Sequence, residues 1–260
     1  MSQKDEFAAS SLIDRQAARN KLIFALDVDN LDDARNWVEQ LSGKVGVFKV
    51  GKQLFTKCGP EVVNLIQDGG GEVFLDLKYH DIPNTVAMAG LEALRLGVKI
   101  FNVHALGGFE MMAKLVSEVD KVCPRGNPDR PVMLAVTILT SSTQETLRGV
   151  GIDRPVEVMV PKLAKLAKDA GMDGVVASPK EVGLIREACG EDFAIVTPGV
   201  RPSFASQDDQ KRVTTPGDAL RAGADYLVIG RPISAAADPA AAAQMILDEM
   251  QAALEEAKKQ

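Results

Sequence analysis

Cysteine and histidine are scarce in this 260-residue sequence, which has three and two of them respectively. Cys58, Cys123 and Cys189 form no CxxC or other metal-ligand spacing, so neither a disulfide framework nor a thiolate metal site is predicted. We expect these thiols to be buried in a protein of a reducing compartment. There is no HxH or HExxH sequence and no carboxylate-plus-histidine set, and we therefore predict no bound metal.

Long apolar runs and an excess of positive charge are also missing. No stretch approaches the roughly 18 apolar residues of a membrane span, and residues 1–20 lack the apolar core of a signal peptide. Acidic residues outnumber basic ones by 36 to 30, a net charge of −6, which argues against nucleic-acid or anionic-membrane partners. These absences predict a cytoplasmic protein, and they leave an anionic small-molecule ligand open.

A short apolar run followed by an amphipathic segment occurs eight times along the chain. Strictly alternating strands and helices predict a parallel sheet covered by helices. The strand candidates are 21–27, 45–50, 72–78, 99–104, 131–137, 173–177, 193–197 and 225–229. The clearest helical segments are 31–41, 61–67, 85–96, 109–122, 156–170 and a final helix that begins at Pro239 with Asp238 as its cap.

Eight strand–helix units favour a closed (β/α)8 TIM barrel over a doubly wound open sheet. The open sheet would need a GxGxxG phosphate loop after the first strand, and the sequence LDVDNLDD at 26–33 has no glycine. We expect a short N-terminal extension over 1–20 and one barrel domain over 21–260, a usual length for this fold.

Charged residues end the first three predicted strands, where the active sites of such barrels lie. They are Asp27, then Lys49, then Asp76 and Lys78, with Asp81 in the turn that follows. Because side chains two apart on a strand share a face, Asp76 and Lys78 should both point into the barrel mouth. An ion cluster that merely closes the barrel is the structural alternative. Buried ion pairs are poor stabilisers, and a functional network is therefore favoured.

The last two units carry the features of an anion site. Gly230 allows close backbone approach after the eighth strand, and Arg231 offers a bidentate guanidinium. The loops after strands seven and eight commonly bind phosphate in TIM barrels, and the polar segment 201–211 is long enough to close over a ligand. A surface salt bridge is the alternative role for Arg231.

Seven motifs in order resemble one family. The segment 76–85, DLKYHDIPNT, resembles the DxKxxDIPNT signature of the orotidine 5′-phosphate decarboxylase family. The resemblance covers almost the whole barrel, and its bacterial branch fits best through the LTS and TPGVRP segments. The other motifs are ALD at 25–27, FKVG at 48–51, NVHA at 102–105, VTILTS at 136–141, TPGVRP at 197–202 and IGRPI at 229–233.

The resemblance implies decarboxylation of orotidine 5′-phosphate to uridine 5′-phosphate without metal or cofactor. Lys78 would donate a proton to C6 of the pyrimidine, and Asp76 would lie against the departing carboxylate. Lys49 and Asp27 would complete the charge network and contact the ribose.

The resemblance also implies a homodimer and a set of substrate contacts. Asp81 and Thr85 would reach into the partner subunit's site, with Asp81 counted among the catalytic residues, and Thr140 would contact the base. The phosphate would be held by Arg201, Gln210, Gly230 and Arg231, with Gln210 on the mobile loop.

Three alternatives differ in the chemistry they require. A Mg²⁺-dependent keto-sugar-phosphate decarboxylase of a related group would carry a Glu metal ligand where this chain has Lys49. A Schiff-base aldolase needs a neutral lysine, whereas neighbouring carboxylates favour the charged ammonium. A non-catalytic nucleotide-binding barrel would have no use for a costly charge network.

Overall fold

Eight parallel strands close into one barrel in the computed structural model, which describes residues 15–202, 204 and 214–258. Each strand pairs with its sequence neighbours, and β8 returns to β1 through Phe24 and Ile229. The predicted closed barrel is confirmed. The strands are β1 Leu22–Ala25, β2 Val47–Gly51, β3 Glu72–Tyr79, β4 Ile100–His104, β5 Val132–Val136, β6 Gly174–Val176, β7 Ala194–Pro198 and β8 Tyr226–Ile229.

Helices cover the outside of the barrel. Two helical segments, at 31–41 and 109–122, have the predicted bounds, and short helices follow several strands for which no helix was assigned. The first helix is described over 15–21 (α1). The others are α2 Leu31–Leu41, α3 Lys52–Cys58, α4 Glu61–Asp68, α5 Pro83–Arg95, α6 Phe109–Val122, α7 Gln144–Gly149, α8 Val156–Asp169, α9 Val182–Cys189, α10 Pro216–Arg221, α11 Arg231–Ser234 and α12 Pro239–Ala257.

Two apolar layers hold these elements together. Strand side chains that point outward pack against the helices in a large core, which includes Phe48 and Phe101. Side chains that point inward fill the barrel, among them Phe74, Ile100 and Leu134. The filled interior leaves room for polar groups only at its ends, and the site described below lies at the carboxyl end.

Capping side chains fix the residues at which two of the helices begin. The Asn30 side chain accepts a hydrogen bond from the Asp33 backbone N–H at the start of α2, 2.8 Å away. Asp238 caps α12 in the same way through the Ala241 N–H, with Pro239 in the first turn, as predicted. Such caps stabilise a helix by about 1 kcal/mol each.

The end of the predicted N-terminal extension packs against the barrel. Residues 15–20 are helical, and Ala18 is fully buried. The carbonyl oxygen of Arg19 lies so close to Gly46 that a Cβ there would be 2.5 Å from it. Residues 1–14 lie outside the described residues. Within the described ranges, no helix is both long and apolar enough to cross a membrane.

Candidate active site

A polar cleft opens at the carboxyl ends of β1, β2 and β3. Four of the charged residues that the sequence predicts line it: Asp27, Lys49, Asp76 and Lys78. Lys52 and Gln53 from α3 border the same cleft. The predicted gathering of charge from neighbouring strands is therefore present in the structure.

The charged groups form one continuous chain of contacts. Lys78 Nζ lies 2.5 Å from Asp76 Oδ1, and Lys49 Nζ lies 3.6 Å from the other oxygen, Oδ2, of Asp76. Lys49 Nζ also contacts Asp27 Oδ1 at 3.1 Å. The order along the chain is thus Lys78, Asp76, Lys49, Asp27, with Asp76 between two ammonium groups.

Solvent exposure differs sharply among these four charged side chains. The side chains of Lys49 and Asp76 are 12% and 13% exposed, and Lys78 is 22% exposed, whereas Asp27 is 71% exposed. Charges in the shielded part interact more strongly than they would in water. Lys49, Asp76 and Lys78 therefore create a fixed field inside the barrel mouth, while Asp27 faces solvent and is accessible to a ligand.

Strand β3 departs from simple alternation where it enters the site. Its pairing with β4 shifts between Leu75 and Tyr79. Lys78 has φ of 52°, the one positive φ at a non-glycine position among the described residues. This conformation costs roughly 1–2 kcal/mol for an L-residue. The prediction that Asp76 and Lys78 share one face assumed a regular strand, and β3 is irregular at this point. Lys78 Nζ nevertheless reaches Asp76.

Asn102 belongs to the site and was not assigned a role from the sequence. It is fully buried on β4, where its Nδ2 donates to Asp76 Oδ1 at 2.7 Å. Its Oδ1 accepts a hydrogen bond from the backbone N–H of Lys78 at 2.8 Å. A signal was available: Asn102 is a polar residue within the apolar run IFNV, two positions from the inward-facing Ile100.

Two histidines lie beside the charged groups. The rings of His80 and His104 have centroids 5.7 Å apart. Burial lowers the pKa of His104 below its usual value, and the charges of His80, Lys52 and Lys78 lower it further, against the opposing effect of Asp76. These effects together favour the neutral imidazole of His104. A hydrogen-bonded structural residue is the simplest role for His104 at the end of a strand, and nothing in this geometry gives His104 or His80 a catalytic role.

The predicted cross-subunit residues lie on the exposed rim. Asp81 and Thr85 are exposed on either side of the start of α5. Asp81 Oδ1 accepts a hydrogen bond from the Ile82 N–H at 2.6 Å. Within the described residues, no hydrogen bond or ion pair links either residue to the four charged side chains of the cleft. Thr140 is exposed in the loop after β5.

The predicted phosphate residues are brought only partly together. Gly230 directly follows β8, beside β1, and a Cβ there would lie 3.1 Å from Ala25 Cβ and 4.0 Å from Asp27 Oδ2. Arg231 is exposed and pairs with no carboxylate of the described residues. Arg201 is half-buried, and its backbone N–H donates a hydrogen bond to the carbonyl oxygen of Thr214 at 3.1 Å. Gln210 lies outside the described residues, as does most of the segment 201–211.

Metal-ligand groups were also sought across the described part of the chain. No group of three or more His, Cys, Asp or Glu side chains there is placed to hold a metal ion. The carboxylates of the cleft are instead paired with lysines.

Known proteins resemble this chain in sequence and in fold. Residues 20–246 match the sequence profile of the orotidine 5′-phosphate decarboxylase / HUMPS family. The orotidine 5′-phosphate decarboxylase of Syntrophotalea carbinolica is 68% identical over 92% of this chain and 98% of its own length. That of Geobacter sulfurreducens is 67% identical over 92% of this chain and 99% of its own length.

A solved structure gives the same result at lower identity. The crystal structure of orotidine 5′-phosphate decarboxylase from Lactobacillus acidophilus superposes with a TM-score of 0.78 at 39% identity, covering 88% of this chain and 98% of its own. Because the profile spans most of the sequence and the relatives align along nearly their whole length, the chain belongs to the orotidine 5′-phosphate decarboxylase / HUMPS family.

Proposed function

We propose that this chain decarboxylates orotidine 5′-phosphate to uridine 5′-phosphate and CO2, the last step of de novo UMP synthesis. The observation that carries the proposal is the placement of Asp76 between the Lys78 and Lys49 ammonium groups in the shielded mouth of the barrel. The names of the relatives at 67–68% identity support it. A cytoplasmic location for this step stays a prediction of the sequence.

Lys78 is the proposed proton donor. When the bond between C6 and the carboxylate carbon breaks, its electron pair stays on C6 in an orbital that the pyrimidine ring cannot delocalise. A preorganised ammonium stabilises that developing charge and then transfers its proton to C6. CO2 leaves, the new C6–H bond forms, and solvent returns a proton to the lysine amine. No electron-accepting cofactor takes part in this balance.

Asp76 and Lys49 hold Lys78 in its working position. Asp76 Oδ1 binds the Lys78 ammonium, so the carboxylate fixes the direction of the proton donor. In the proposed complex Asp76 also lies against the substrate carboxylate. Lys49 links Asp76 to the exposed Asp27, and we assign these two residues to the ribose hydroxyls.

Phosphate binding is assigned to the end of β8, which pairs with β1 at the mouth of the barrel. Arg231 has no carboxylate partner among the described residues and is therefore free to meet an anion. Gly230 adjoins Asp27, which makes a ribose contact and a phosphate contact compatible with one nucleotide. Arg201 and Gln210 complete the proposed phosphate site, and Thr140 is assigned to the base.

A homodimer is proposed from the exposed rim near α5. Ile82 is 67% exposed, an unusual environment for a large apolar side chain next to the proposed cross-subunit residues Asp81 and Thr85. Exposed apolar side chains on adjacent elements extend the same rim and favour a protein partner there. They are Met88, Leu106 and Phe109.

The proposed reaction is tested by comparing two substrates with one enzyme preparation. Orotidine 5′-phosphate in EDTA should yield UMP and CO2 in equal amounts, identified by chromatography and gas release. A keto-sugar phosphate with added Mg²⁺ should give no CO2, because Lys49 occupies the position that a metal-binding Glu would need. The reverse pattern would assign the chain to the metal-dependent decarboxylases.

A further inference from the structure

We propose that Asn102 is a positioning residue that sets the geometry of the Lys78–Asp76 pair. This inference rests on the proposed decarboxylation and extends it to a neutral side chain that touches no substrate in that scheme. Asn102 is one of three fully buried polar residues in the described part of the chain. Its two hydrogen bonds go to the two residues that carry the proposed chemistry.

The first bond supports the backbone of Lys78. The ladder between β3 and β4 shifts between Leu75 and Tyr79, and a backbone N–H buried within such an interruption needs another acceptor. Asn102 Oδ1 supplies it at 2.8 Å from the Lys78 nitrogen. The positive φ of Lys78, 52°, persists only if its surroundings hold it. Asn102 is thus a direct support of the conformation that aims the Lys78 side chain.

The second bond fixes the Asp76 carboxylate. Asp76 Oδ1 accepts from both Asn102 Nδ2, at 2.7 Å, and Lys78 Nζ, at 2.5 Å. This leaves Oδ2 directed toward Lys49 at 3.6 Å. The amide donates without adding charge, so it orients the carboxylate and leaves the electrostatic balance between the two lysines unchanged. An apolar residue could make neither of the two hydrogen bonds.

Loss of Asn102 should therefore slow the chemical step and leave nucleotide binding nearly intact. Asn102→Leu removes both bonds at similar side-chain volume. We expect kcat to fall about 10- to 100-fold, the usual range for losing a buried hydrogen bond to a charged group, while KM changes less than about threefold because the phosphate contacts lie elsewhere.

Asn102→Asp separates positioning from a general structural role. A protonated carboxyl has the shape of the amide: its C=O can accept from the Lys78 N–H and its O–H can donate to Asp76. Ionised, it cannot donate and repels Asp76. The nearby charged groups are Asp76 and Lys78 on β3, Lys49 on β2 and Asp27 after β1; the β5 residue paired with Asn102 is the apolar Leu134. His104 follows on β4 itself.

The experiment measures kcat of the native protein, Asn102→Leu, Asn102→Asp and the control Asn64→Asp across pH, with circular dichroism at each pH to count folded protein. Asn64 is an exposed residue of α4, away from the cleft. The ratio of Asn102→Asp to native kcat should rise as pH falls. Burial and the neighbouring Asp76 carboxylate raise the pKa of the introduced carboxyl, so it becomes protonated as the pH is lowered. Asn102→Leu and Asn64→Asp should show constant ratios, the latter near one.

The outcomes separate this inference from the proposed function. A native protein with no decarboxylase activity would overturn the proposed function and this inference with it. An active native protein with Asn102→Leu kcat within about threefold of native would overturn the positioning role alone. A pH-independent ratio for a folded Asn102→Asp would also overturn it, whereas acid rescue confined to that variant supports it.

Discussion

At the scale of single residues, the site combines charges that the sequence reveals with a backbone conformation that it does not. Asp76 and Lys78 could be predicted because charged residues at the end of an apolar strand are rarely tolerated without a role. The positive φ of Lys78 could not be predicted, because nothing in the residue type favours that conformation. Asn102 carried a visible signal, yet its partners depend on the register of β3 against β4.

The strain at Lys78 leads to a prediction about stability. Lys78→Gly should be more stable than Lys78→Ala by about 0.5–1 kcal/mol. Glycine avoids the roughly 1–2 kcal/mol cost of the left-handed region in the folded protein. The greater flexibility of glycine in the unfolded chain opposes this by only about 0.4–1 kcal/mol. Urea unfolding of both variants measures the difference.

The control for this comparison lies on the same strand. Glu72 is exposed at the start of β3 and has no positive φ, so Glu72→Gly should be less stable than Glu72→Ala. If the glycine variant is the weaker of the pair at both positions, the left-handed conformation of Lys78 is wrong.

At the scale of elements, strands were easier to locate than short helices. The strands of a covered parallel sheet are nearly continuous apolar runs, and all eight runs contain the observed strands to within two residues at either end. Helices α7 and α10, with six residues each, and the four-residue α11 are too short to show a helical period. Two of the proposed phosphate residues, Gly230 and Arg231, lie at the start of α11, and their arrangement was accordingly the least predictable part of the described site.

The turn from β8 into α11 gives a prediction about phosphate binding. Arg231→Ala should lower kcat/KM for orotidine 5′-phosphate by about 10- to 100-fold, through the loss of a charge-assisted contact. With orotidine, which lacks the phosphate, the same substitution should have no further effect, because the two changes remove one interaction.

Arg221→Ala is the matched control for this substitution. Arg221 lies on α10, where it pairs with Asp218 and Glu256, and its loss should leave kcat/KM unchanged. Equal losses with both substrates in Arg231→Ala would assign Arg231 a structural role instead.

The end of β4 gives a prediction about pH. The pKa of His104 is lowered in the folded protein, chiefly by burial, so below its ordinary value of about 6.5 the unfolded chain binds more protons. Folding stability should therefore fall as pH drops from about 6.5 through the lowered pKa. His104→Gln should lose less stability over that interval, measured by urea unfolding at several pH values. An identical pH slope in the two proteins would contradict this assignment.

At the scale of the whole molecule, the barrel could be predicted because eight strand–helix units have few other ways to bury their apolar faces. The surface of assembly could not be predicted in this way, because the apolar pattern of one chain does not reveal which exposed surface contacts a partner. The exposed Ile82, Met88, Leu106 and Phe109 indicate the rim where the proposed dimer forms.

Hybrid dimers test the cross-subunit role of Asp81. Lys78→Ala and Asp81→Ala should each be inactive alone. After subunit exchange, a hybrid dimer has one site with an intact Lys78 and the partner's intact Asp81, so the mixture should recover about a quarter of native activity. No recovery from a mixture shown to contain hybrids would place Asp81 in its own subunit's site.

The proposed function depends above all on proton donation by Lys78 in a decarboxylation that needs no metal. The most direct measurement follows the near-ultraviolet absorbance of orotidine 5′-phosphate in EDTA with the native protein, Lys78→Ala and the control Lys165→Ala, which alters an exposed lysine paired with Asp169. The native protein and Lys165→Ala should convert the substrate rapidly. Folded Lys78→Ala should be slower by at least about 1,000-fold. Native-like conversion by Lys78→Ala would contradict the role of Lys78 as proton donor, and no conversion by the native protein in EDTA would contradict a metal-free decarboxylation.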